Sequence, residues 1–163
     1  MELIKDLLPP LLTEREITWL RNNYPWLHYF PSHKLIYGVF EFDATFKGER
    51  IIDRYVLSID LTPKLYGGLP HVYDDAGRIK QMAKMLNRPL IDLHNYENGG
   101  QCLIRPDKFE ERYPYGISLP QFFNLLTSHF FWLSYMERFN KEPWEGEKHG
   151  WEIDELKSWM QRH

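Results

Sequence analysis

The sequence of 163 residues contains a single cysteine, no excess of positive charge and no long apolar run. One cysteine excludes an internal disulfide framework and a cysteine-rich zinc site. A formal net charge of −3 gives little support to nucleic-acid binding. No apolar stretch approaches the ~20 residues that span a bilayer, and the N-terminal residues lack the layout of a signal peptide. We therefore expect a soluble, cytoplasmic protein that binds neither nucleic acid nor membrane.

Aromatic residues are abundant instead, at 16% of the chain. Together with a hydrophobic fraction of 43%, they suffice for one core without disulfides or structural metal. The length fits one domain, which we place over residues 1–163. Aromatic side chains also line grooves that hold another chain, so their excess is typical of a protein that grips an extended peptide.

The order of periodic segments predicts an α+β fold in which strands and helices segregate along the chain. Thr13 and Glu16 form a capping-box pattern that begins the first helix. Lys47-Gly48 is a turn between two strands, and Pro63, Gly67-Gly68 and Pro70 are expected to break regular structure. The predicted segments are a helix over 13–22, strands over 35–46, 50–61 and 71–73, an ambiguous helical turn over 81–86, a long helix over 119–139 and a short helix over 153–160.

Cys102 is the residue most suited to covalent chemistry. It follows a polar, glycine-rich stretch, and a loop presents a side chain to a partner more easily than the interior of an element does. The structural alternative is a small buried hydrophobic residue, which is the commoner fate of a lone cysteine. We expect a solvent-accessible thiol in a shallow groove beside the loop over residues 94–100.

His94 and Asn95 precede Cys102 by a few residues and offer hydrogen-bond donors. An imidazole or amide near a thioester stabilises the oxyanion that forms when the carbonyl is attacked. The structural alternative is a loop asparagine that bonds its own backbone. A metal site built from His94, Cys102 and His149 matches no compact ligand spacing.

Three short stretches resemble the active-site region of ubiquitin-conjugating enzymes: Pro70-His71-Val72, His94-Asn95, and Gly99-Gly100-Gln101-Cys102-Leu103. That family has a proline-rich strand end, a His-Pro-Asn tripeptide, a glycine and then Cys-Leu. The resemblance implies the ubiquitin-conjugating (UBC-like) fold, in which an N-terminal helix precedes a four-stranded antiparallel meander and C-terminal helices follow. It also implies that Cys102 carries an acyl group as a thioester and passes it to a lysine.

The sequence departs from the family pattern in two ways. The proline of His-Pro-Asn is absent, and His94 is closer to Cys102 than the family's histidine is to its cysteine. By spacing, His94 stands where the family's asparagine would be, so His94 or Asn98 could take the oxyanion role in place of Asn95. No aspartate is assigned to activating the incoming lysine, although Asp107, Glu110 and Glu111 lie nearby in sequence.

The end of the chain resembles a bacterial branch of this family. Its Trp-x-Gly-Glu-x-His-Gly pattern is matched by Trp144, Gly146, Glu147, His149 and Gly150. Such stand-alone conjugating proteins belong to anti-phage cyclic-oligonucleotide (CBASS) operons, which include a cyclic GMP-AMP synthase-like (cGAS-like) nucleotidyltransferase. A structural interpretation of this pattern is a loop that Trp144 anchors to the core, with glycines in the turns.

The resemblance implies an acyltransferase that acts on the C-terminal tail of a partner protein. The partner is the cGAS-like nucleotidyltransferase or, alternatively, a bacterial ubiquitin-like protein with a separate activating enzyme. A third alternative is a UBC-fold binding module without catalysis. The enzyme needs no cofactor, because the acyl group arrives already activated.

Overall fold

A four-stranded antiparallel sheet and the helices that follow it organise the protein, and the computed structural model describes residues 11–65 and 69–144. Short 3₁₀ turns occupy Pro31–His33 and Leu90–Leu93. The α+β class and the element order of the sequence analysis are confirmed. The elements are α1 (Glu14–Asn23), β1 (Leu27–Phe30), β2 (Leu35–Phe46), β3 (Glu49–Leu65), β4 (Leu69–Asp74), α2 (Arg78–Leu86), α3 (Pro106–Arg112) and α4 (Leu119–Phe139).

The sheet is a meander in which each strand pairs with the next, in the order β1-β2-β3-β4. Its longest ladder joins β2 to β3, from Leu35 opposite Asp60 to Phe46 opposite Glu49. Gly38 makes the β1–β2 contact possible, because a Cβ at this position would lie 2.2 Å from the carbonyl oxygen of Trp26. The predicted four-stranded antiparallel meander is therefore confirmed.

One face of the sheet is buried and the other is open among the described residues. Side chains alternate between the faces of a strand, so Ile36 and Phe40 of β2 share the buried face with Leu57 and Ile59 of β3. On the opposite face Ile52 is 61% exposed. The core consequently lies on the side of the sheet that α4 covers.

Aromatic rings join α4 to this face and to α1. Phe130 of α4 packs on Tyr55, with ring centroids 4.5 Å apart. One end of α4 presents Phe123, whose ring lies 4.4 Å from Tyr24 and 5.7 Å from Trp19 of α1. Edge and offset ring contacts of this kind add to the stabilisation from burial. Both α1 and α4 therefore contribute side chains to the core beside the sheet.

A partly buried ion cluster ties β3 to α2 and α4. The guanidinium of Arg78 donates to both carboxylate oxygens of Asp53, at 2.9 and 2.7 Å, and to Glu137 at 2.6 Å. It also lies 4.3 Å from the ring centre of Tyr55. Burial works against ionisation of Asp53, but hydrogen bonds from Arg78, Ser134 and the backbone hold its pKa below the usual value. The cluster is therefore charged near neutral pH.

The prolines do not end the strands as the sequence analysis expected. Pro63 lies within β3 and Pro70 within β4. The pairing between β3 and β4 shifts register between Asp60 and Leu65, and β4 is an edge strand. Proline cannot donate to a ladder, and an irregular register or a sheet edge is where that loss is tolerated.

Other predictions need smaller corrections. The sequence predicted no element at β1 or α3, and the ambiguous turn at 81–86 is the end of a full helix, α2. The long helix has the predicted bounds, but Phe139, assigned to its apolar face, is 42% exposed. The predicted helix over 153–160 lies outside the described residues. Within the described ranges, no helix combines the length and apolarity needed to cross a bilayer.

Replacing Arg78 with methionine should destabilise the protein more than the same change at Arg50. Arg78→Met leaves two partly buried carboxylates unpaired, which we expect to cost about 2 kcal/mol, less than for a fully enclosed pair because some water still reaches them. Arg50 pairs with Asp43 at the surface, with side chains 62% and 50% exposed, so Arg50→Met should have a much smaller effect. Urea unfolding measures both, and equal losses would contradict a structural role for the cluster.

Candidate active site around Cys102

The backbone around Cys102 is tied to β4 on one side and to the preceding loop on the other. Gln101 donates its N–H to the carbonyl of Val72, and Cys102 donates its own to the carbonyl of His94, both at 2.9 Å. Tyr73 of β4 forms a further antiparallel bridge with Gly100. These bonds give the cysteine a fixed backbone although no regular strand contains it.

The side chain of Cys102 is partly exposed and lines a pocket of about 280 Å³. The residues that share this pocket and matter for its chemistry are His94, Arg105, Arg112, His129 and Trp132. The expectation of an accessible thiol in a groove beside the 94–100 loop agrees with this position. Cys102 therefore contacts solvent in this pocket.

His94 is held in an unusual backbone conformation at the end of the 3₁₀ turn Leu90–Leu93. Its φ is 55°, in the left-handed region that few non-glycine residues adopt, and its N–H donates to the carbonyl of Ile91 at 3.1 Å. The ring packs edge-on against Trp132 with centroids 4.9 Å apart. Backbone and ring contacts together orient the imidazole in the pocket wall.

Asn95 lies in a different place. Its side chain is 1% exposed, and its amide nitrogen donates to the carbonyl of Tyr96 at 2.8 Å. Asn98 accepts the N–H of Gly100 through its side-chain oxygen at 2.9 Å, which closes a local turn. Neither asparagine lines the pocket, so His94 is the one of the three oxyanion candidates that shares it with Cys102.

Gln101 is the centre of a buried hydrogen-bond network beneath Cys102. Its amide nitrogen donates to the side-chain oxygen of Asn95 and to the carbonyl of Gly99, the latter at 2.8 Å. Its oxygen therefore accepts, and His129 Nε2, at 2.9 Å, must be the donor. The network connects α4 to the loop on both sides of Gly99.

His129 is neutral in this arrangement. Burial lowers its pKa to about 3, with a further contribution from the charge of His94 nearby. A neutral ring with its proton on Nε2 satisfies the acceptor of Gln101. A protonated ring would place a charge inside the core of the protein.

No family model, no curated protein and no solved structure matches this chain. The chemistry of the site is therefore argued from its own geometry. The acidic residues near Cys102 in sequence, Asp107, Glu110 and Glu111, do not line the pocket. Asp107 pairs with Arg105, with 3.3 Å between Arg105 Nε and Asp107 Oδ1, and Glu111 pairs with Lys108 at 3.8 Å. No group of three metal-ligating side chains occurs in the described part of the chain.

Trp144 anchors the chain after α4, as the structural interpretation of its motif proposed. Its ring stacks on Phe131 with an interplanar angle of 9°, lies edge-on to Phe46, and lines the Cys102 pocket. Gly146, Glu147, His149 and Gly150 of the same motif lie outside the described residues.

Sequence reasoning did not find Gln101, His129 or the pocket arginines. Gln101 and His129 are 28 residues apart, and neither stands in a pattern that signals pairing. His129 lies between Thr127-Ser128 and the apolar run over residues 130–133 of α4, so its neighbours in sequence do not mark it as buried.

Stability should fall with decreasing pH through His129. The folded state keeps this ring neutral down to about pH 3, whereas the unfolded chain takes up the proton near pH 6.5. Below pH 6.5 the unfolded state therefore gains stability, at most about 1.4 kcal/mol per pH unit. His129→Gln should remove this component of the slope in denaturation measured at successive pH values.

The exposed His33 supplies the matched control. His33→Gln makes the same substitution at the surface, and its slope is the reference for that of His129→Gln. A His129→Gln protein with the wild-type slope would show that this histidine is not buried in its neutral form.

Proposed function

We propose that this protein is a ubiquitin-conjugating-type enzyme with a UBC-like fold, in which Cys102 forms a thioester with the C-terminus of a partner protein. The observation that carries the proposal is the position of Cys102: partly exposed in a pocket, with its backbone fixed between β4 and His94. The meander that precedes the cysteine and the helix that follows it are in the order that this family requires.

The first step is acyl transfer to Cys102. The thiolate is the nucleophile, and it attacks the carbonyl carbon of an activated C-terminus, such as a thioester on an activating enzyme. A new C–S bond forms, the old one breaks, and the departing thiolate takes up a proton from solvent. The fixed backbone of Cys102 favours this step because a positioned nucleophile reacts as if at high concentration.

The second step transfers the acyl group to an amine. The nitrogen of a target lysine attacks the thioester, the Cys102 thiolate leaves, and the nitrogen releases a proton as the isopeptide bond forms. Negative charge develops on the carbonyl oxygen, and a donor placed there lowers the barrier. His94 is our candidate for that donor, because it lines the pocket while Asn95 is engaged in the core.

We further propose that the acyl donor is the tail of a cGAS-like nucleotidyltransferase in an anti-phage operon, with a bacterial ubiquitin-like protein as the alternative donor. Sequence resemblance supports the operon assignment. The chemistry at Cys102 is the same for both.

Incubation with each activated candidate tail should give a Cys102-linked adduct that reductant destroys. Cys102→Ser should give an ester that resists reductant, because oxygen replaces sulfur in the bond, and Cys102→Ala should give none. Non-reducing and reducing electrophoresis distinguish these products. If both the wild type and Cys102→Ala bind a tail and neither forms an adduct, the protein is a binding module and the enzyme proposal is wrong.

Exchange of His94 tests the oxyanion role separately. Asn and Asp have similar shapes and both tolerate a left-handed backbone, but ionised Asp has no donor. We expect His94→Asp to release the acyl group to lysine about 100-fold more slowly than His94→Asn. Single-turnover release from preloaded Cys102 measures this step without the loading step. Equal rates for the two variants would remove His94 from the mechanism.

A further inference from the structure

The pocket beside Cys102 contains hydrogen-bond donors and cations, and none of its described lining residues is acidic. This is unexpected in a chain with 23 acidic and 20 basic residues and a net charge of −3. The lining that contains Cys102 also contains two arginines, Arg105 and Arg112, and the exposed Ser128. The pocket therefore differs in charge from the protein as a whole.

Of the two pocket arginines, Arg112 has the charge that is less neutralised by carboxylates of the protein. It is exposed at the end of α3 and makes no ion pair with a described residue. Arg105 is partly neutralised, since its Nε lies 3.3 Å from Asp107 Oδ1 and its side chain is 22% exposed. The cost of removing either arginine from water is lower when a ligand carboxylate replaces that water.

Trp132 supplies an independent observation. It is 4% exposed, lines this pocket, and its indole N–H has no hydrogen-bond partner among the described residues. A buried donor without an acceptor costs free energy, so its presence points to an acceptor that is supplied from outside. The indole can only donate, as the guanidinium groups do, so these groups all select an acceptor.

We propose that this pocket selects acyl donors that carry an aspartate or glutamate within a few residues of the C-terminus. The inference rests on the proposed function and adds to it the chemical class of the substrate tail. The terminal carbonyl lies at Cys102 while the acidic side chain lies against Arg112, with Arg105 nearby. A carboxylate accepts two hydrogen bonds from a guanidinium, which fixes the tail as well as attracting it.

Short peptides with a C-terminal glycine thioester of a small thiol provide the test. Each carries one glutamate, or the isosteric glutamine, at the second, third or fourth position from the end. Cys102 attacks the thioester carbonyl, the small thiol leaves, and mass spectrometry follows the acylated protein. At one position we expect glutamate to load about fivefold faster than glutamine, which is the range of a partly exposed ion pair.

Two arginine variants make the result specific. Arg112→Gln should abolish the preference for glutamate, and the preference should also weaken at high salt. Arg21, exposed on α1 and outside this pocket, is the matched control, and Arg21→Gln should keep the wild-type preference. Thermal unfolding verifies that both variants are folded.

A binding measurement separates this inference from the proposed function. Fluorescence anisotropy with Cys102→Ala and amide-terminated peptides should show the same preference without any chemistry. Equal binding and equal loading of the two peptides would overturn the acidic-tail inference and leave the enzyme proposal intact. Preferential binding without loading of the wild type would instead count against the enzyme proposal.

Discussion

The geometry of the site depends on the hydrogen bonds made by the side chain of Gln101. Its amide group spans the space between α4 and the loop before the cysteine, and each of its polar atoms has a partner of the opposite kind. Because Cys102 is the next residue, the position of the thiol follows from the packing of α4 on the sheet. Cys102 lies in a loop, but its position is thereby fixed as firmly as that of a core residue.

The same arrangement separates two roles that lie side by side in the sequence. Asn95 faces the core and completes the network, whereas His94 lines the pocket. The left-handed backbone of His94 produces this separation, because it turns the chain sharply at the end of a 3₁₀ turn. The loop thus directs Asn95 into the core and His94 into the pocket beside Cys102.

Local signals predicted the elements with strong boundaries. The apolar periodicity of residues 119–139 predicted α4, and the two strands of the central hairpin have long runs of β-forming residues. β1 is too short to show the alternation of apolar and polar residues typical of a strand. The pairing of its Leu27 with Gly38 is a contact of the folded chain that the local sequence does not reveal. Cys102 was identified from its glycine-rich approach and His94 from its place shortly before it, but the bond between Gln101 and His129 was not, because a hydrogen bond across 28 residues leaves no local pattern.

The one-sided sheet has a consequence for synthesis of the chain. All four strands leave the ribosome before α4, which supplies Phe130 and the other rings that cover their apolar face. Until then, the hairpin can pair its backbone through local contacts, yet Phe40 and its neighbours remain exposed to water and to other nascent chains. The synthesis of α4 therefore ends the period in which the apolar face of the sheet is exposed and prone to aggregate.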